Sequence, residues 1–242
     1  MIELKGITKK FGDFRAVADL NLTVRKGEIF GFLGPNGAGK TTTIKMIAGV
    51  LLPSAGTVTI GGIDMLAQPE AAKRKIGFIP DRPYLYEKLT GMEFLKFTAD
   101  LYEVPHAIYR ERAQKNLALF SLTDWADELI ESYSHGMKQR LIISAALLHD
   151  PEVIIVDEPM VGLDPAAIIL VKELFRNLAQ KGVSVFMSTH TLAIVEDTCD
   201  RVGIIHRGRL IASGTTADLQ RKANATDDDL EKVFLNLTNP AN

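Results

Sequence analysis

Cysteine is almost missing from this chain: Cys199 is the only one in 242 residues. A single thiol excludes an intrachain disulfide and a cysteine-based zinc site, and it fits a reducing compartment. A charge excess is missing too. The 28 Lys and Arg face 30 Asp and Glu, a net of -2, which is a poor footprint for a protein that binds nucleic acid through its own surface. No segment approaches the roughly 20 apolar residues that a bilayer-spanning helix needs. The longest apolar stretch, Leu141 to Leu148, is interrupted by Ser144. The opening Met1-Ile2-Glu3-Leu4-Lys5 lacks the charged-then-apolar layout of a signal peptide. These absences lead to the expectation of a soluble chain, with no nucleic-acid partner, that reaches any membrane only through another protein.

What is present is ordinary for a packed globular protein, with 46% hydrophobic and 24% charged residues. The length suits one large domain, or a core with an inserted subdomain. Residues 2–33 alternate as strands do, through Ile2/Leu4 and Leu20/Leu22/Val24 to the buried run Ile29–Leu33. A helix is expected from Lys40 to about Val50. Thr57–Ile60 reads as a short strand closed by Gly61-Gly62, and Ile76–Ile79 as another, stopped by Pro80. From about Pro83 to Leu148 the apolar spacing becomes helical, which predicts an inserted helical subdomain near 83–147. Strand character returns in Val153–Val156 and Val183–Met187, around a helix from about Pro165 to Lys181 that Gly182 ends. Apolar strands separated by helices predict a parallel sheet buried on both faces. Residues 221–242 are polar with a Leu230/Val233/Phe234/Leu237 stripe, and read as a tail helix of unknown role.

Gly34-Pro35-Asn36-Gly37-Ala38-Gly39-Lys40-Thr41 has the spacing of a phosphate-binding loop, between a buried strand and a helix. Glycines at 34, 37 and 39 let backbone N–H groups, including those of Ala38 and Thr42, converge on phosphate oxygens. The helix start adds its positive end. Lys40 is expected to neutralise the β- and γ-phosphates and Thr41 to ligate Mg²⁺. After the strand Val153–Val156 come Asp157 and Glu158, at the carboxyl edge where parallel sheets bind ligands. Two acids there can simply cap a helix. Paired with a phosphate loop, they read as a Mg²⁺ contact (Asp157) and a general base for water (Glu158). A lone histidine is more often structural, but His190 emerges at the same edge and can reach the γ-phosphate. Phe11 suits either the core or stacking on adenine.

At this point the residues resemble the nucleotide-binding subunit of ATP-binding cassette (ABC) transporters, over nearly the whole chain from Leu4 to about Leu219. The discriminating segment is Tyr133-Ser134-His135-Gly136-Met137-Lys138-Gln139-Arg140, similar to the family signature L-S-G-G-Q-x-Q-R. Val161-Gly162-Leu163-Asp164-Pro165 resembles the D-loop, and Ser188-Thr189-His190 the switch-histidine loop. The resemblance implies an α/β fold: a P-loop NTPase core with a mainly parallel sheet, an N-terminal antiparallel β subdomain and an inserted α-helical subdomain. The cassette would span 1–220, and 221–242 would be a C-terminal tail. It implies an ATPase that dimerises head to tail, with itself or a second cassette. Ser134 and Gly136 would then serve the partner's ATP, and Asp164 would belong to the same interface. It also implies transmembrane permease subunits, placing the chain at the cytoplasmic face of the cell membrane. The stretch Arg82–Glu87 would receive a short helix from those subunits, although Tyr84 and Tyr86 could equally pack in the core.

Two positions depart from the family pattern. Asp81 stands where glutamine is usual. As a hard oxygen ligand it can still meet Mg²⁺, but it cannot donate an amide hydrogen bond to water, so a linking role at lower catalytic precision is expected. His135 replaces a glycine. It reads either as a solvated side chain or as a group giving pH-sensitive closure. The departures leave open a hydrolysis-impaired half of a heterodimer. An ABC-type ATPase acting on nucleic acid finds no support in long heptads, a basic block or a second cassette. Ser213-Gly214 and Asp218-Leu219 resemble exporter-type cassettes, and the substrate is not encoded here.

Overall fold

The computed structural model describes residues 1–82 and 84–222 together with Phe234. Two sheets organise it. In the first, β1 (Ile2–Phe11), β2 (Phe14–Val24), β4 (Ala55–Ile60) and β5 (Ile63–Asp64) run in the order β2-β1-β4-β5, and all pairs are antiparallel. The second has six strands in the order β10-β9-β3-β8-β7-β6. Its members are β3 (Ile29–Leu33), β6 (Ile76–Ile79), β7 (Val153–Asp157), β8 (Ser184–Thr189), β9 (Arg201–His206) and β10 (Arg209–Gly214). All neighbours there are parallel except the β9–β10 pair.

Every residue of β3, β7 and β8 is buried, as expected for strands covered on both faces. Alternation divides them between two layers. Ile154, Val156, Val185 and Met187 face a cluster that includes Leu95, Phe120, Leu141 and Phe175. Val153, Ile155, Phe30, Phe32 and Phe186 face the other way, onto Ile44, Met46 and Ile47 and the inner side of the antiparallel sheet. Those three apolar side chains come from α1 (Lys40–Ile47).

Between β6 and β7 the described regular elements are helices: α3 (Gly91–Leu101), α4 (His106–Leu119), two 3₁₀ turns, and α5 (His135–Ala146). Thr90 starts α3 with a reciprocal cap, its hydroxyl accepting from the Glu93 N–H while the Glu93 carboxylate accepts from the Thr90 N–H. Four more helices complete the described set: α2 (Pro69–Lys73), α6 (Pro165–Gln180), α7 (Leu192–Thr198) and α8 (Thr216–Lys222).

Several expectations shift at their edges. The first helix ends at Ile47 rather than near Val50, and the strand expected over Val183–Met187 runs Ser184–Thr189. The β9–β10 hairpin was not anticipated. Neither Tyr84 nor Tyr86 belongs to the core, at 82% and 58% exposed. Of the tail helix expected over 221–242, only Phe234 beyond Lys222 lies within the described residues; it packs against the cluster that includes Leu33, Val202, Ile204 and Leu219.

One polar group ties the helical region to the sheet. His149 stacks on Tyr102 with ring centroids 3.7 Å apart, and its Nε2 lies 3.0 Å from the Ile76 carbonyl. Arg112 donates to the neighbouring Leu148 carbonyl, and Asp150 stands beside it. Burial pushes His149 down to about 4, against a smaller upward pull from the Ile76 carbonyl. An unfolded chain with its imidazole near 6.5 therefore binds more protons between pH 6.5 and 4. Stability from this site is complete above about pH 6.5 and falls as pH drops towards 4, by about 3 kcal/mol. Urea unfolding at stepped pH checks this: lowering pH from 7 to 4 should improve His149→Phe relative to wild type by about that amount. Parallel pH profiles would refute the assignment.

Candidate nucleotide site

The loop after β3 turns into α1 at Gly39, whose φ of +110° is a conformation side chains rarely adopt. A Cβ there would also sit 2.7 Å from the Ala16 carbonyl oxygen. Gly37 has φ of +78° with open space around it. The loop therefore wraps α1's first N–H groups around an open cavity of about 350 Å³. The lining includes Asn36, Gly37, Gly39, Lys40, Thr41 and Thr42 on one side and Asp81, Asp157 and Glu158 on the other.

Lys40 is buried, and its ammonium donates to the carbonyls of Gly34 (2.7 Å) and Pro35 (3.2 Å). Burial holds its pKa below the usual lysine value, partly countered by Glu158 and Asp157. Ala38 is buried, and its carbonyl accepts from the Gly208 N–H at 2.9 Å. Thr41, by contrast, is exposed towards the cavity.

The acids arrive by sheet register. Asp157 pairs with Ser188 across β7 and β8, and the Ser188 hydroxyl donates to its carboxylate. Glu158 follows in a left-handed backbone conformation, φ +51°, fixed by its N–H donating to the Ser188 carbonyl at 3.1 Å. A non-glycine residue in that region is strained, and such strain collects at functional sites. One Glu158 carboxylate oxygen lies 2.8 Å from His190 Nδ1, and the other accepts from the Thr189 hydroxyl at 3.2 Å. Base, histidine and phosphate loop thus meet at one sheet edge.

Other expected site residues stand elsewhere. Phe11 is 51% exposed at the end of β1, with the Lys9 ammonium 5.2 Å from its ring. Its cross-strand partner Phe14 lines the cavity, together with Ala16. Neither was singled out from the sequence; two aromatics flanking Gly12-Asp13 were the available signal. Ser134 caps α5, accepting from the Met137 N–H at 3.3 Å. Asp164 caps α6, accepting from the Ala167 N–H at 2.8 Å. Ser134, Gly136 and Asp164 are not among the residues lining the loop's own cavity.

The sequence profile described as ABC transporter matches residues 17–161. The chain belongs to that family. It is an ATP-binding subunit of the ABC type and an ATPase. The linearmycin resistance ATP-binding protein LnrL of Bacillus subtilis is 42% identical over 219 residues, covering 90% of this chain and 70% of LnrL. Some curated relatives are longer, and the chain spans 41% of one of them. A solved ATP-binding subunit of an ABC transporter superposes with a TM-score of 0.93 at 35% identity, covering 98% of this chain and 99% of that one. The ATP-binding cassette MJ0796, solved as a dimer in a post-hydrolysis state with ADP and Pi, gives 0.78 at 26% identity, covering 89% and 98%. Among the described residues, no helix of this ABC ATPase is long and apolar enough to cross a membrane.

The two glycines of this cassette's loop differ in a measurable way. Gly39→Ala combines a forbidden φ with a backbone clash, while Gly37→Ala meets only the unfavourable φ. Denaturant titration should show a loss of about 1 kcal/mol for Gly37→Ala and at least twice that for Gly39→Ala. Equal losses would mean that the loop relaxes away from Ala16.

Proposed function

We propose that this chain is the motor of an exporter: it closes as a dimer on ATP, with itself or a second cassette, and drives translocation through separate transmembrane subunits at the cytoplasmic face of the cell membrane. The observation that carries the reading is a division of labour. One cavity gathers Lys40, Thr41, Asp81, Asp157 and Glu158, while the capped N-terminus of α5, with Ser134 and Gly136, lies outside it. A helix N-terminus offers N–H donors and positive potential to an anion. A second chain's α5 is the natural source of that missing wall over the γ-phosphate, with Asp164 at the same seam.

In this mechanism the backbone of residues 34–39 and the start of α1 cradle the phosphates. Lys40 exchanges the Gly34 and Pro35 carbonyls for phosphate oxygens, a stronger charge-assisted contact. Thr41, Asp81 and Asp157 line the cavity together and present the hard oxygen donors that Mg²⁺ prefers. When bound, that ion offsets charge on the β- and γ-phosphates. Glu158 takes the proton of the attacking water, and His190 and Thr189 hold its two oxygens in place. Phe11 and Phe14, paired across the hairpin, offer the adenine an aromatic surface.

Closure does work only if ATP binds the closed pair better than the open chains. A γ-phosphate shared between two chains supplies that difference. For the membrane subunit, exposed Tyr84 lines a cavity of about 540 Å³ together with Val50, Phe78 and Asp81, and Tyr86 is exposed two residues further on. An apolar, aromatic rim suits a short amphipathic helix. Export rests on the resistance function in the name of LnrL.

Steady-state ATPase assays with separate nucleotide-binding titrations test the reading. Glu158→Gln should keep ATP affinity while turnover falls at least about 100-fold. Asp81→Gln should raise turnover and alter its Mg²⁺ dependence. Full activity in Glu158→Gln would remove the base, and an unchanged Asp81→Gln would remove the linking role of Asp81.

A further inference from the structure

His135 stands where the resembling signature has glycine, and its side chain is not idle. It is the first residue of α5, directly after the Ser134 cap. Its imidazole fills the space over the α-carbon of Gly162: a Cβ built on Gly162 would lie 2.2 Å from His135 Cδ2 and 2.6 Å from Nε2. The next residue packs there as well, since a Cβ on Gly136 would lie 3.1 Å from the Gly162 carbonyl oxygen. Gly162 has φ of +78°. It sits in the turn that leaves Glu158, in which the Val161 N–H donates to the Glu158 carbonyl at 3.2 Å and Leu163 to Met160 at 3.4 Å. Two residues later Asp164 opens α6.

We propose that His135 is a positioning residue for hydrolysis: its ring wedges against Gly162 and sets the 158–164 turn of its own chain according to the position of α5. The inference rests on the two-chain reading above. There, the start of α5 meets the partner's γ-phosphate. A displacement of that helix end would press the ring on Gly162 and reach the segment that begins at this chain's Glu158. A glycine at 135 would give that space to solvent and remove the ring's contact with the turn. Both residues are exposed, so this is a surface contact, and the fit of the ring against Gly162 rather than its charge carries the effect.

The fit makes residues 135 and 162 interdependent, and a double-mutant cycle reads that directly. Turnover at saturating Mg-ATP, ATP affinity and thermal midpoint would be measured for wild type, His135→Gly, Gly162→Ala and the double variant. His135→Gly should lower turnover about fivefold with ATP affinity unchanged. Gly162→Ala should lower it at least about tenfold in the wild-type background, but by less than about threefold when residue 135 is glycine. The φ penalty of alanine is common to both backgrounds, so the difference isolates the ring contact. His135→Phe keeps a flat ring and should recover more than half of what glycine loses; this comparison holds even if Gly162→Ala does not fold. Equal alanine penalties in the two backgrounds, or phenylalanine no better than glycine, would overturn the proposal. Either result alongside an inactive Glu158→Gln leaves the ATPase reading intact, whereas an active Glu158→Gln would defeat that reading whatever the cycle gives.

Discussion

Everything at this site depends on the parallel pairing of β3, β8 and β7. Leu33 stands opposite Thr189, and Ser188 opposite Asp157, so three buried strands end within one residue of each other. The residues that follow those ends are Gly34, His190 and Glu158, so register brings them to one edge before side-chain contacts orient them. The pairing is held by apolar burial on both faces, with β3, β7 and β8 buried along their whole length. A one-residue slip would send Ile154 and Val156 to the wrong layer and move the acids off the edge. Catalytic precision is thus inherited from the core.

The polar groups at that edge use the same frame. The Ser188 side chain serves Asp157 while its backbone carbonyl fixes Glu158, so one residue of β8 orients both acids. Thr189 and His190 then take the two oxygens of Glu158. Lys40 rests on loop carbonyls rather than on either acid. It is partly desolvated and its pKa is lowered, so an arriving polyphosphate meets an ammonium with weak neutral partners to give up. The loop is preorganised for an anion.

Much of this was legible in the sequence because the chemistry demands specific residue types at fixed spacing. Gly34 to Thr41 could be read as a phosphate loop, and Asp157-Glu158 as its acidic partner, since strand and helix flank them in the only order that works. Elements whose identity comes from pairing rather than pattern were not legible. Arg201–His206 and Arg209–Gly214 mix small, polar and apolar residues, and they become strands because β9 adds to β3. Phe14 reaches the cavity through its register opposite Phe11, which residue type cannot disclose. His135 read from the sequence either as a solvated side chain or as a pH-sensitive group; the structure leaves it exposed, and its contact with a glycine 27 positions later is what the sequence could not show. Contacts of long sequence separation are what a linear reading loses first.

The proposed cycle turns on ATP bound between two chains, with Ser134 and Gly136 of one chain completing the site of the other. The most direct test is the molar mass of Glu158→Gln in solution, by light scattering, with and without Mg-ATP. A monomer that becomes a dimer only when Mg-ATP is present is the expected result. A chain that stays monomeric while saturated with ATP would contradict it.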